Sequence, residues 1–247
     1  MIATAAAARL PDRPRLVFLR WCLKVGRARL CAVREDERGV AVVARLDPQG
    51  TVWAVGSVTG EELLQAFERG RRVNEVRVDA EAIETARAVL TGWDEVPAIV
   101  HERRPAPPPP YEASGLRLMR TRADRHAVER LSYRFWAAAF FAFPDLPVAL
   151  CFDDGNVIAV ATVYAETERY VEVSIDTVAW HRREGHGFRT VAYLLEHGVP
   201  PDKWAVWTAE ERNIPSLRLA ERLGFLPGER VTLFRPRVLA DDGVVNR

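Results

Sequence analysis

From Val171 to Phe225 the sequence alternates, turns on two glycines and then repeats every three to four residues, an order that leaves few folds open. Val171-Glu172-Val173-Ser174-Ile175-Asp176-Thr177 reads as a strand with Glu172, Ser174 and Asp176 on one face and Val171, Val173 and Ile175 on the other. Arg182-Arg183-Glu184-Gly185-His186-Gly187 follows as a basic glycine turn. Behind it Phe188, Val191, Ala192, Leu194 and Leu195 form one apolar helical face, stopped by Gly198 and Pro200-Pro201. Trp204 to Thr208 then predicts a strand, and Pro215 to Leu223 a helix closed by Gly224. A glycine turn opening a helix can hold an anion, because the first amides of the helix have no partner within it and converge on one point.

The strongest break elsewhere is Arg103-Arg104-Pro105-Ala106-Pro107-Pro108-Pro109-Pro110, which can enter neither a helix nor a central strand. It predicts an N-terminal α/β domain over residues 1–104, a Pro-rich linker over 105–114 and a second domain over 115–247. In the first domain Gly39 to Leu46, Thr51 to Gly56, Glu75 to Val78 and Pro97 to His101 read as strands. Thr59-Gly60-Glu61-Glu62 has capping-box spacing for a helix running to Arg69, and Asp79 is placed to cap another to about Leu90. Leu16 to Leu23 is apolar without a period that decides between helix and strand. In the second domain the pattern predicts strands at Leu116 to Arg120, Pro147 to Phe152, Val157 to Tyr164 and Arg230 to Phe234, and a helix from Asp124 to about Phe135. No internal repeat is visible in the residues.

Composition narrows the partners. The chain of 247 residues is 48% hydrophobic and 28% charged, as expected for a globular protein kept in the cytoplasm. Arg9, Asp12 and Arg13 interrupt the small-residue opening before a signal-peptide core develops, and no apolar run has membrane-spanning length. Lys and Arg number 17 against 15 acidic residues over 1–104, and 18 against 19 over 105–247, so neither half carries the basic bias of a nucleic-acid binder. Cys22, Cys31 and Cys151 lack close-spaced pairing and read as reduced thiols.

The Arg182–Gly187 turn, together with Asn213-Ile214-Pro215-Ser216 and Leu223-Gly224-Phe225, resembles the GNAT superfamily of acetyl-coenzyme A-dependent N-acetyltransferases. The likeness covers about residues 115–235 well and the first hundred only loosely, and is similar to a bacterial branch with a divergent extra domain in front. It implies a mixed α/β acyltransferase core with a splayed, mostly antiparallel sheet, preceded by a smaller α/β domain. It further implies that Ile175, Asp176 and Thr177 offer backbone groups to the pantetheine arm of the cosubstrate. Arg182, Arg183, Glu184, Gly185, His186 and Gly187 would cradle its pyrophosphate, and Asn213 and Ser216 would line its other side. Glu172 becomes the expected base, with Asp176 in reserve, and a small-molecule or peptide amine the expected acceptor. Relatives often carry a tyrosine acid where this chain has Ala220. Glu184 sets a carboxylate beside the expected phosphate, an unfavourable charge unless its side chain points away.

Other readings weigh less. The third glycine of a dinucleotide fingerprint is replaced by Thr190. His181 and His186, five apart, do not share a helical face, so solvated roles and no metal are expected. Trp204 and Trp207 read as core, whereas Trp136 and Phe140 could line an acceptor pocket. A GNAT-shaped module that binds an acyl-coenzyme A without turnover is the alternative function, and a homodimer is left open.

Overall fold

The computed structural model describes residues 2–37, 39–47, 49–67, 72–129 and 146–237. The expected pocket residues Trp136 and Phe140, and the end of the helix expected to reach Phe135, lie outside these residues. Contacts divide the chain into two units that interleave in sequence: residues 1–10, 22–98 and 230–247 form one, and residues 11–21 and 99–229 the other. The Pro-rich stretch expected as a linker lies wholly within the second unit, and the last strand belongs largely to the first.

The first unit contains α1 (Ile2–Arg9), the end of α2 (Val17–Lys24), β1 (Ala28–Asp36), β2 (Gly39–Leu46), β3 (Thr51–Val55), α3 (Gly60–Leu64), β4 (Glu75–Val78) and α4 (Ile83–Val89). Strands β1, β2 and β3 pair antiparallel in succession, and β3 and β4 pair parallel around α3. Leu16 to Leu23, undecided by pattern, is therefore helical after a 3-10 turn begun by Pro14. The capping box at Thr59 forms as expected: its hydroxyl accepts from the Glu62 amide, and the Glu62 carboxylate accepts from the Thr59 amide. Asp79 does not cap α4; its carboxylate accepts from the Gly56 and Ala82 amides instead. Val43, Val52, Val76, Leu63 and Ala86 meet in the core of this unit.

The second unit holds the end of β5 (Trp93–Arg103), then β6 (Leu116–Leu118), α5 (Arg122–Glu129), β7 (Val148–Asp153), β8 (Asn156–Glu166), β9 (Tyr170–Thr177), α6 (His186–His197), β10 (Trp204–Glu210) and α7 (Ile214–Arg222). Its strands run in the order β5-β10-β9-β8-β7-β6. The pairs β6–β7, β7–β8 and β8–β9 are antiparallel, and β9–β10 is parallel. Val171, Val173, Val191, Leu194, Leu195, Trp207 and Phe225 close the core between sheet and helices, each large side chain contributing about 1.5–3 kcal/mol. Thus the apolar face expected of the strand from Val171 is the one that α6 covers.

The two units share one scheme. Two antiparallel hairpins, a helix, a parallel strand and a second helix follow one another as β1-β2-β3-α3-β4-α4, and again as β7-β8-β9-α6-β10-α7. Each series ends in a long strand, β5 or β11 (Leu226–Pro236). In the first unit β4 takes its antiparallel partner from β11, with Val76 opposite Phe234, while β10 lies beside β5 in the second. The repeat invisible in the residues is present in the topology.

Helix α7 ends as the sequence expects. The Phe225 amide donates to Ala220 O at 3.0 Å and the Gly224 amide to Glu221 O at 2.9 Å, with Gly224 at φ +84. A Cβ at Gly224 would meet only Arg103 Nε, at an ordinary 3.7 Å, so the demand is conformational. Gly224→Ala is expected to lower stability by about 1 kcal/mol in urea unfolding. An unchanged midpoint would show that the helix end relaxes at no cost.

Candidate active site

Strand β9 has two different edges. Its β8 side is paired from Val171 to Thr177, with an extra residue, Tyr164, bulged out of β8 opposite Val173 and Glu172. On its β10 side the parallel register covers only Tyr170, Val171 and Glu172, opposite Trp204, Ala205 and Val206. Beyond Glu172 the ladder to β10 ends, so Val173–Thr177 have no strand partner among the described residues on that side, with Thr177 O taken by Arg182 Nε. Such a gap offers unpaired amides and carbonyls to an extended ligand.

At the far end of the gap the chain passes a 3-10 turn (Ala179–His181), then Arg183 at φ +68 and Gly185 at φ +86, before α6 begins. A left-handed arginine costs about 1 kcal/mol or more and is tolerated where surrounding structure imposes it. No side chain caps the start of α6, and its first turn holds no acidic residue, so the partial positive charge of the helix end is open to an anion. A Cβ on Gly185 would meet nothing within 4 Å; its glycine answers the backbone angle. A Cβ on Gly187 would stand 3.2 Å from Thr177 Oγ1 and 3.5 Å from Ile175 Cγ1, so here glycine allows the helix to approach the strand. The open cradle at Gly185, the uncapped helix start and the strand edge without a β10 partner together could receive an extended anionic ligand.

The side chains expected around that cradle have specific partners. Arg182 Nε donates to Thr177 O at 3.1 Å, which ties the turn to the end of β9. Asn213 caps α7 by accepting from the Ser216 amide at 3.3 Å, and the Ser216 hydroxyl accepts from Trp207 Nε1 at 3.0 Å. Phe188 of α6 lies under the guanidinium of Arg222 of α7, with 4.8 Å between the Arg222 carbon and the ring centre. Trp207 is core, as expected, whereas Trp204 is half-buried, with the Arg104 guanidinium 5.4 Å from its ring centre. Ala220, at the tyrosine position, is fully buried in the core.

Glu184 resolves its own conflict. Its Oε2 stands 3.1 Å from His186 Nε2 and 3.4 Å from His181 Nδ1. Arg189 Nη2 donates to His186 Nδ1 at 3.2 Å, so the ring proton is on Nε2 and points at Glu184. The expectation of two separately solvated histidines is corrected: they flank a turn rather than share a helix, and the turn folds them onto one carboxylate.

The two candidate bases differ. Glu172 is only 4% exposed and accepts from the Thr208 hydroxyl of β10 at 2.9 Å. Asp176, four residues on and on the same face of the strand, is partly buried near Arg182. Burial raises its carboxyl above the ordinary carboxylate range, and the Arg182 charge offsets part of that rise. The folded state therefore holds this proton more tightly than the unfolded chain. Stability falls as pH rises from the unfolded value of about 3.9 through the folded one, and the penalty persists above. Asp176→Asn removes that charge. Its melting temperature relative to the parent is expected to rise as pH climbs from the acidic range to neutrality, and a difference independent of pH would contradict it.

The corresponding turn of the first unit is closed. Between β3 and α3 the helix has one short turn, its start is occupied by the Thr59–Glu62 capping box, and Glu61 and Glu62 place two carboxylates where an anion would sit.

Residues 149–234 match the family model of the GNAT acetyltransferases. Comparison with curated proteins found no match. Among solved structures the chain is similar to a GCN5-related N-acetyltransferase-like protein from Streptococcus suis, 16% identical with a TM-score of 0.66, over 96% of this chain and 99% of that one. It is similar to a GCN5-related N-acetyltransferase from Kribbella flavida, 20% identical with a TM-score of 0.62, over 96% of each chain. A tandem GNAT protein from the clavulanic acid biosynthesis pathway is 16% identical with a TM-score of 0.56, over 94% of this chain and 92% of that one. At these identities the likeness is one of fold. No described helix is long and apolar enough to cross a membrane.

Proposed function

We propose that this chain, a member of the GNAT superfamily, transfers the acetyl group of acetyl-coenzyme A to a primary amine by direct attack in a ternary complex. The observation that carries this reading is the parting of β10 from β9 beside the uncapped start of α6. One end of that gap offers amides for a pyrophosphate, and the other ends at a carboxylate. From Thr177 back to Glu172 a strand covers about 16 Å, a length suited to an extended arm laid along its free edge.

Acetyl-coenzyme A supplies a thioester carbonyl that an amine can attack. The amides that open α6, with Arg182 and Arg183, hold the pyrophosphate; Ile175, Asp176 and Thr177 hold the arm through their backbone; Asn213 and Ser216 border it. An alkylammonium has a pKa of about 10, so the amine must lose a proton before it attacks. Glu172, the last β9 residue with a β10 partner, stands at the reacting end of the gap and takes that proton directly or through water. A backbone amide near Ser174 and Ile175 steadies the oxyanion. With alanine buried at position 220, the thiolate leaves unprotonated, as a thiol of pKa about 8.5 can. Asp176, beside Arg182, belongs to the pyrophosphate end and is the reserve base.

The acceptor is a small-molecule or peptide amine. The evenly balanced charge of both halves supports neither a nucleic acid nor an anionic membrane surface as partner. The second reading, an acyl-coenzyme A-binding module without turnover, draws on buried Ala220 and on the Thr208 hydroxyl that already engages Glu172.

Calorimetry with acetyl-coenzyme A is expected to give one molecule per chain, since the matching turn of the first unit is closed. Two per chain would contradict that closure, and no binding at millimolar cofactor would defeat the enzyme reading. Gly187→Trp is expected to abolish binding by forcing the start of α6 away from Thr177 and Ile175. Thiol release across a panel of amines then separates enzyme from module. Glu172→Gln is expected to slow turnover by about 10²–10⁴-fold and to remove the acidic limb of the pH profile, where protonation of the base stops turnover. An unchanged rate and profile would remove Glu172 from the base role.

A further inference from the structure

His181, Glu184 and His186 form a group of donors whose side chains the acyl-transfer reading does not use. Their ligand atoms all lie within 4.8 Å of one another. Three donors bound to one tetrahedral Zn²⁺ at about 2.0–2.1 Å stand about 3.3–3.4 Å apart. The two edges that meet at Glu184 Oε2, 3.1 and 3.4 Å, are already close to that spacing. The local backbone builds the arrangement. His181 ends a 3-10 turn, His186 is the first residue of α6, and the left-handed Arg183 and Gly185 bracket Glu184 between them.

The geometry points to a divalent transition-metal site of the Zn²⁺ type, with His181 Nδ1, the Glu184 carboxylate and His186 Nε2 as its three protein ligands and an open fourth position. Two imidazoles and one carboxylate select a borderline cation over Mg²⁺ or Ca²⁺, which prefer all-oxygen shells. The site is reachable, since the Glu184 side chain is 54% exposed. A metal on Nε2 moves the His186 proton to Nδ1, where Cys151 Sγ, 3.8 Å away, is the acceptor. Arg189 Nη2 gives up Nδ1 and keeps Cys151 Sγ at 3.4 Å, while its Nη1 keeps Ser114 O at 3.4 Å and Glu112 at 3.5 Å. With neutral imidazoles the empty trio carries a charge of −1, and the dication turns it to +1 beside the uncapped amides of α6. The loop that the acetyltransferase reading assigns to an anion, already net positive through Arg182 and Arg183, thereby becomes more positive with metal.

The test needs no coenzyme, so its failure leaves the acyl-transfer reading untouched, and the reverse holds. The full chain, stripped of metal, is titrated with Zn²⁺ by calorimetry and with Co²⁺ by visible absorption. One ion per chain, a Co²⁺ spectrum without a thiolate charge-transfer band, and no response to Mg²⁺ are expected. His181→Ala and Glu184→Gln, both at the exposed turn and checked for folding by circular dichroism, should each weaken Zn²⁺ binding at least about tenfold. No binding at millimolar Zn²⁺, an affinity unchanged from the parent in both variants, or a thiolate band that places the metal on cysteine would each overturn the site.

Discussion

The second unit depends on how short the parallel ladder between β9 and β10 is. Three pairs, Tyr170–Trp204 to Glu172–Val206, hold the strands together, and there the pairing stops. A longer ladder would satisfy every backbone group of β9 and leave nowhere for an extended ligand. A shorter one would lose the core that Val171, Ala205, Trp207 and α6 build over it. The Tyr164 bulge lies on the opposite edge at the same level, so β9 is reshaped from both sides at Glu172. The carboxylate, the end of the ladder and the bulge thus coincide.

Around that point, charge is arranged by backbone as much as by side chains. The α6 start is left uncapped, whereas its counterpart α3 is sealed by Thr59 and Glu62. The same strand–turn–helix scheme leaves the helix start open in one unit and seals it in the other. The difference resides in a few residues: a left-handed Gly185 with space before it, against a capping box with two glutamates.

Elements whose signal is local were legible in the sequence. Alternation from Val171 to Thr177, the Thr59 capping box, the Asn213 cap and the Gly224 stop all have short-range causes, and the structure holds each within a residue or so. Strand β1 was not foreseen, because Ala28–Asp36 mixes charges with small apolar residues and becomes a strand by pairing with β2. Asp79 reads as a helix cap but serves a distant amide at Gly56. The candidate site residues came from a family resemblance, and their partners could not be read from it. Arg182 turns back to Thr177 O, and His181 and His186 meet across a turn that helical spacing arguments do not describe. The duplication was hidden for the same reason: strand order and pairing repeat, whereas the residues that achieve them do not.

The placement of β11 has a consequence for the order in which this protein can be completed. The partner of β4 comes from residues Thr232–Phe234, more than 150 positions downstream. A ribosome delivers the first unit's hairpins and helices early, but the strand that covers β4 arrives almost last. Until then the edge of β4 is an exposed ladder of amides and carbonyls, the kind of surface that recruits foreign strands. Shielding of that edge during synthesis therefore bears on the yield of folded protein alongside the strength of either core.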